Sequence, residues 1–390
     1  MPPGCCPPQQ APIFDCTGVV SGTPPTGAAL ASTSLEGVQI QENVILAPYT
    51  TLAVGGPARF FVETRSDQEI LEAYRFAREQ RVGFFVLGGG SNLLVSDEGF
   101  GGVVVHVADG EMQAEAEGDR LRIVADAGVE WDTVVRLAVE RNAAGIECLA
   151  GIPGSVGGTP VQNVGAYGQE VSGTVTRVHA VDLSAEQVLE MSNEDCWFSY
   201  RKSVFNGRRK GRYAITRVEY RLKLDQPPSL EYRDVKQYFA ERGVARPSLA
   251  ETADAVRVIR ARKGMVLAGD DPDSRSAGSF FKNPVVDRSG AAALAQTAGC
   301  PAHKVPQYPA GAGHDATRVK LSAAWLIELA GFKKGFAVGR AALSSKHVLA
   351  ITNRGGATAA EIMALRDAVI AGVLERTGIR LEQEPVLLGF

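Results

Sequence analysis

Apolar and polar positions change period several times along the chain, and each change predicts an element. Ser66-Asp67-Gln68-Glu69 reads as a capping box, and Ile70, Leu71, Tyr74 and Ala77 follow it at helical spacing. Phe84-Phe85-Val86-Leu87 is an unbroken apolar run of strand length, which suits a buried strand. Further strands are predicted over 103–107 and 121–125, with a helix over 131–141. The next strand has Val218, Tyr220, Leu222 and Leu224 on one face, against Glu219, Arg221 and Lys223 on the other. Beyond it the pattern is more helical: helices are predicted over 232–241, 252–262 and 319–330, and Thr358-Ala359-Ala360-Glu361 caps a last one running to about residue 376. Residues 1–43 show neither period and are rich in Pro, Gly, Ser, Thr and Ala, so they read as a flexible extension with the folded part starting near Val44. There is no internal repeat.

Composition narrows the class. The 390 residues are 45% hydrophobic and 22% charged, enough for a sizeable core in two or three domains. A net charge of -3 lacks the basic excess that holds a phosphate backbone, so no nucleic-acid partner is expected. No apolar run reaches membrane-spanning length and the N-terminus lacks a Lys or Arg start, which predicts a soluble, cytoplasmic protein. The six cysteines form no CxxC pair and the five histidines no HExxH group, so free thiols and no bound metal are expected.

Two glycine-rich segments carry candidate chemistry. Gly88, Gly89, Gly90, Ser91 and Asn92 directly follow the strand 84–87, where a loop can point its amides at a diphosphate. The segment is not GxGxxG, since Leu93 stands where the last glycine would be, and no GxxxxGK[ST] occurs, so neither the Rossmann nor the P-loop reading holds. A plain tight turn is the alternative. The second segment runs from Gly151 to Gly168 and has few charges to keep it solvated; a loop of that length is functional or disordered, and its free backbone groups suit the edge of a flat polar heterocycle. Elsewhere, Ser276-Ala277-Gly278-Ser279-Phe280-Phe281-Lys282-Asn283-Pro284 sets a hydroxyl beside a cation, an amide and two aromatic rings. Phe198–Phe205 and Leu381–Val386 add an arginine and an acid.

Taken in order, Thr51–Ala58, Leu87–Asn92, Ile152–Gly168, Tyr200-Arg201-Lys202-Ser203-Val204-Phe205, Gly278–Pro284 and Glu382–Pro385 resemble the UDP-N-acetylenolpyruvoylglucosamine reductase family, in its tyrosine-loop type. The resemblance spans residue 44 to the end. It implies an α+β fold with an FAD-binding unit of the vanillyl-alcohol-oxidase type in two αβ subdomains, plus a smaller αβ substrate-binding domain. The boundaries expected are 44–110 with 377–390 for the first subdomain, 111–263 for the second and 264–376 for the third domain.

The resemblance also implies a reaction in which NADPH reduces FAD, and the enolpyruvyl ether of the sugar nucleotide is then reduced to a lactyl ether in a ping-pong cycle. Arg201, Ser279 and Glu384 match the family's catalytic residues, with Ser279 as proton donor. Hydride addition to C3 drives charge into the carboxylate, so a planar guanidinium such as that of Arg201 suits the site. Ser279 is a weak acid, but an enolate is a strong base, and Arg201 and Lys282 favour a transient alkoxide. Expected flavin contacts are Gly88, Gly89, Gly90, Ser91, Asn92, Ile152, Pro153, Gly154, Gly157, Gly158, Asn163, Gly165, Ala166 and Tyr167. Expected substrate contacts are Tyr200, Tyr232, Lys263, Lys282 and Asn283, with Arg262 as the alternative to Lys263 and a core aromatic as the alternative for Tyr232. No His or Cys adjoins either glycine-rich segment, so the flavin is expected to be held non-covalently. A monomer is expected. Two other functions stay open at this point: a non-catalytic nucleotide-sugar-binding protein and a flavin oxidase of the wider superfamily.

Overall fold

The computed structural model describes residues 38–390 apart from 109 and 311–316. Residues 1–37 of the expected extension lie outside that part. Its last residues do not stay apart from the fold: the first strand, Ile40–Ile45, begins ahead of Val44 and pairs antiparallel with Pro57–Thr64, while Val38 is buried.

The first sheet runs Ile40–Ile45, Pro57–Thr64, Phe100–Val107, Phe84–Leu87, with the last two strands joined in parallel. The helix Asp67–Glu79 covers one face, burying Ile70, Leu71, Phe76 and Ala77 against Phe60, Val62, Val103 and Val105. Its cap is half of the predicted box. Ser66 accepts from the Glu69 N–H, but the Glu69 carboxylate accepts from Arg65 rather than from Ser66.

The second sheet is antiparallel, in the order Gln187–Ser192, Val175–Asp182, Tyr213–Leu224, Arg120–Asp126, Met112–Glu117. The alternation seen in the sequence is real: Val218, Tyr220 and Leu222 join a core with Trp131, Val134 and Val135 of the helix Trp131–Glu140 and with Ala253, Val256 and Ile259 of the helix Leu249–Arg262. Glu219 departs from the polar face by being buried. Its carboxylate accepts from Arg122 at 2.8 Å and from the Thr176 hydroxyl at 3.0 Å, and the bond from Arg122 outweighs burial in holding its pKa below the usual range.

The rest of the chain forms two three-stranded sheets and the helices Arg288–Ala298, Ala323–Leu329 and Ala359–Thr377 around one core. The helix predicted over 319–330 is two elements. Val319 and Leu321 alternate inward on the strand Arg318–Leu321, and Ser322 then caps Ala323–Leu329 by accepting from the Trp325 N–H. At the end of the chain, Val386–Leu388 pairs in parallel with Leu93–Val95, next to the first glycine-rich turn.

Candidate active site

A cleft of about 430 Å³ is lined by the two glycine-rich segments, the Arg201 turn, the Ser276–Asn283 segment and Glu384. The glycine turns meet backbone to backbone. A Cβ at Gly89 would lie 2.6 Å from the Gly154 Cα, and Gly90 has φ +58° with the Tyr49 carbonyl 1.9 Å from where a Cβ would be. Only glycine fits such an approach. The N–H groups of Gly89, Gly90, Ser91 and Asn92 have no protein acceptor among the described residues, and the buried Ser155 hydroxyl beside Gly88 has no hydrogen-bond partner. Unspent donors in one concavity make a seat for anionic oxygens.

Most of the expected flavin contacts line this cleft: Gly88–Asn92, Ile152, Pro153, Gly154, Gly158, Gly165, Ala166 and Tyr167. Gly157 and Asn163 do not. Gly157 turns to the sheet, donating to the Ala127 carbonyl at 2.9 Å, and a Cβ there would meet the Ala127 side chain at 2.7 Å. Asn163 is 1% exposed and ties three strands of chain together. Its Nδ2 donates to Glu170 Oε2 at 2.8 Å and to the Ser199 carbonyl at 3.2 Å, while its Oδ1 accepts from the Ser172 N–H at 3.0 Å.

Those bonds fasten the turn that presents Arg201. Ser199 and Lys202 exchange backbone hydrogen bonds at 2.9 and 3.0 Å across a tight turn in which Arg201 takes φ +55°. Ser203 Oγ donates to the Val161 carbonyl at 2.6 Å, and Asn206 Nδ2 to the Arg201 carbonyl at 3.1 Å. Such a backbone, unfavourable for arginine, persists because its surroundings over-determine it. Tyr200 lies beside the cleft rather than in its lining: its ring carries the Lys320 ammonium at 4.0 Å, and burial raises its pKa.

Arg201 reaches Glu384, with Nε 3.1 Å from Oε1. The contact lacks hydrogen-bond geometry, so Nε is a buried donor without an acceptor although it stands against a carboxylate. Burial pushes the Glu384 pKa above the usual carboxylate range, against the opposing pull of Arg201 and Lys282. Ser279 is brought alongside because its segment pairs with the one carrying Glu384: Lys282 donates to the Glu382 carbonyl at 2.9 Å and Glu384 to the Phe280 carbonyl at 2.8 Å. Phe280 and Phe281 do not roof the site. Both are core residues, and by anchoring the segment they hold the serine between them and Gly278. The Ser279 hydroxyl has no protein partner among the described residues.

Of the expected substrate contacts, Tyr232, Lys263, Lys282 and Asn283 line the cleft, and Arg262 does not. Lys263 donates to Asp234 Oδ2 at 2.6 Å and stands 5.4 Å from the Tyr167 ring, whose edge meets Tyr232 at 5.2 Å. Asn283 spends its Oδ1 on the Ala323 N–H. Two lining residues carry no local sequence signal and were not expected. Arg260 is 8% exposed and forms no ion pair among the described residues; it donates to the Gly151 and Met265 carbonyls, and burial lowers its pKa. His347 is the other.

A model of the UDP-N-acetylenolpyruvoylglucosamine reductase C-terminal domain matches residues 271–388, and a model of an FAD-binding domain matches residues 58–192. The UDP-N-acetylenolpyruvoylglucosamine reductase of Thermobifida fusca is 44% identical over 354 residues, covering 89% of this chain and 97% of that protein. The chain belongs to the UDP-N-acetylenolpyruvoylglucosamine reductase family. The same-named protein of Streptomyces coelicolor is 43% identical over 370 residues, covering 93% of this chain and 94% of its own length. The crystal structure of the UDP-N-acetylenolpyruvylglucosamine reductase from Thermus caldophilus superposes with a TM-score of 0.58 at 27% identity, over 90% of this chain and 99% of that one. The fold is therefore an α+β, FAD-binding fold shared with that reductase. Both glycine-rich segments fall inside the FAD-binding match, and Ser279, Lys282, His347 and Glu384 inside the reductase match. Arg201, Tyr232, Arg260 and Lys263 lie between the two.

Proposed function

We propose that this reductase-family chain reduces the enolpyruvyl group of UDP-N-acetylglucosamine enolpyruvate to the lactyl ether of UDP-N-acetylmuramate, a peptidoglycan precursor, using NADPH. The cleft fits FAD, since its glycine turns offer free amides to a diphosphate and small backbone clearance to a flat ring. Gly88–Asn92 and Ile152–Tyr167 would hold it. No cysteine lines the cleft and its one described histidine sits outside both segments, which supports non-covalent attachment. Bound there, the flavin supplies hydride, taken from NADPH, to C3 of the substrate.

The protein's own share follows from the charges present. As C3 becomes saturated, electron density moves through C2 into the substrate carboxylate, and the Arg201 guanidinium, with Lys282 near, stabilises it. The Arg201 Nε, which lacks an acceptor in good geometry, is available to that carboxylate. Ser279 delivers a proton to C2; a weak acid suffices against so basic a carbon when it stands within hydrogen-bond reach. Glu384, with its raised pKa, orients and polarises the same oxygens. Tyr232, Lys263 and Asn283 hold the nucleotide. NADPH and the sugar nucleotide use the one cleft in turn, which gives ping-pong kinetics, and we assign the reaction to a cytoplasmic monomer.

The observation that carries this reading is the convergence of three distant segments, with Arg201 3.1 Å from Glu384 and Ser279 on the segment hydrogen-bonded beside it. The test is NADPH oxidation with UDP-N-acetylglucosamine enolpyruvate, in the natural chain and in Ser279→Ala. The variant should still bleach its flavin with NADPH, while transfer to the sugar nucleotide falls by about 10²–10⁴-fold. A natural chain that consumes oxygen instead, or never bleaches, would sink the proposal.

A further inference from the structure

Glu384 owes its place to groups other than its own carboxylate. That carboxylate stands against Arg201 and forms no hydrogen bond among the described residues, whereas the backbone around it is tied on several sides. Asn92 Nδ2 donates to the Glu384 carbonyl at 3.3 Å, and the Val386 N–H donates to the Asn92 carbonyl at 2.9 Å. Pro385 has no N–H to offer, and its carbonyl accepts from Gln383 Nε2 at 2.8 Å, so the Gln383 side chain folds past Glu384 and brackets it. The other end of that amide, Oε1, accepts from Arg366 Nη1 at 2.6 Å. An arginine only donates and a carbonyl only accepts, so the amide fits between them one way round. Arg366 is itself 14% exposed and held by Asp367 Oδ1, at 2.9 Å from Nε and 2.6 Å from Nη2. It stands on the helix Ala359–Thr377, which buries Ile362, Leu365 and Val369 in the core that also holds Phe280 and Phe281. Phe281 in turn bridges antiparallel to Gln383. The serine segment and the acid segment are thus referenced to one helix, the first by packing and the second by the Arg366–Gln383 bond.

We propose that Gln383, oriented by Arg366, is a positioning residue that holds Glu384 against Arg201 and in register with Ser279. Neither Gln383 nor Arg366 lines the cleft, so both act through the acid and not on the substrate or the flavin. Without the bracket the Pro385 carbonyl loses its donor and the peptide beside Glu384 is free to turn. A displacement of about 1 Å at a reacting group is enough to cost about 10²-fold in rate.

The inference rests on the proposed function, and its test separates the two half-reactions of the flavin-loaded protein: bleaching of the flavin by NADPH, then return of its absorbance when the enolpyruvyl nucleotide is added without oxygen. Gln383→Met fills the same space without hydrogen bonds. It should bleach at the natural rate and keep its flavin and its KM for the nucleotide, while the return slows by about 10- to 100-fold. Arg366→Leu should show the same split, and Arg366→Lys, which keeps a donor for Gln383 Oε1, should recover part of the loss. In a Glu384→Gln background, Gln383→Met should slow the return by no more than about twofold further, because a residue that acts through the acid has nothing left to position. Should Gln383→Met fail to fold, Gln383→Glu, which keeps an acceptor for Arg366 and loses the donor to Pro385, should give the same split. An unchanged return in the folded variant, a loss of flavin or of bleaching in its place, or an undiminished further loss in the Glu384→Gln background overturns the assignment. If the natural chain does not regain its absorbance with the nucleotide, the proposed function falls first.

Discussion

Replacing Asn163 with alanine separates two roles that the sequence alone leaves merged. As a flavin contact, Asn163 would be dispensable to folding; as a tie, it holds the Arg201 turn to the glycine-rich segment. The substitution deletes a bond to the Glu170 carboxylate, worth about 1.5–3 kcal/mol, and leaves the Ser199 carbonyl and Ser172 N–H without their partner, at about 1 kcal/mol each. It also puts alanine at φ +45°, where asparagine is better tolerated, at about 1 kcal/mol. These contributions overlap as the site relaxes, so a net loss of about 3 kcal/mol is expected. Urea unfolding followed by tryptophan fluorescence should show it as a lowered midpoint, and kcat should fall with it because Arg201 loses its brace. A variant with an unchanged midpoint and kcat that merely sheds FAD would refute this reasoning and return Asn163 to the cofactor.

Other outcomes follow from the same geometry. Tyr232→Phe keeps the ring edge against Tyr167 and loses only the hydroxyl, so KM for the sugar nucleotide should rise while flavin content holds; an unchanged KM removes Tyr232 from the substrate site. Gly90→Ala forces a Cβ onto the Tyr49 carbonyl at a left-handed φ, and the purified variant should lose flavin, read as the ratio of absorbance at 450 to that at about 280 nm. His347 is charged in the unfolded chain below about pH 6.5 and in the native chain only below about 4, so its share of stability is present above 6.5 and is lost as pH falls to 4. That share is about 3 kcal/mol at most, and unfolding midpoints of the natural chain and His347→Gln measured across this window should converge as the pH drops.

The sequence disclosed whatever is local. The Thr358 box is present in full, with Thr358 and Glu361 each accepting from the other's N–H, because both partners lie within one turn. The alternation at 218–222 survives because one face meets a core. At 319–330 the spacing of Val319, Leu321, Leu326 and Ile327 satisfies both periods, and Ser322, a good cap residue, was the overlooked mark of the boundary. Arg201, Ser279 and Glu384 were legible through motifs, whereas their meeting depends on pairings across the chain. Arg260 and His347 were invisible for the same reason. The carbonyl of Gly151 that Arg260 binds lies 109 residues away, and what distinguishes His347 is a lone pair tied up by a backbone N–H.

The strand Val386–Leu388 closes beside Leu93–Val95, and that closure, with the Glu384 N–H bond to the Phe280 carbonyl, holds Glu384 against Arg201. During synthesis Arg201 and Ser279 therefore leave the ribosome before their third partner, and the acid arrives together with the strand that closes on Leu93–Val95.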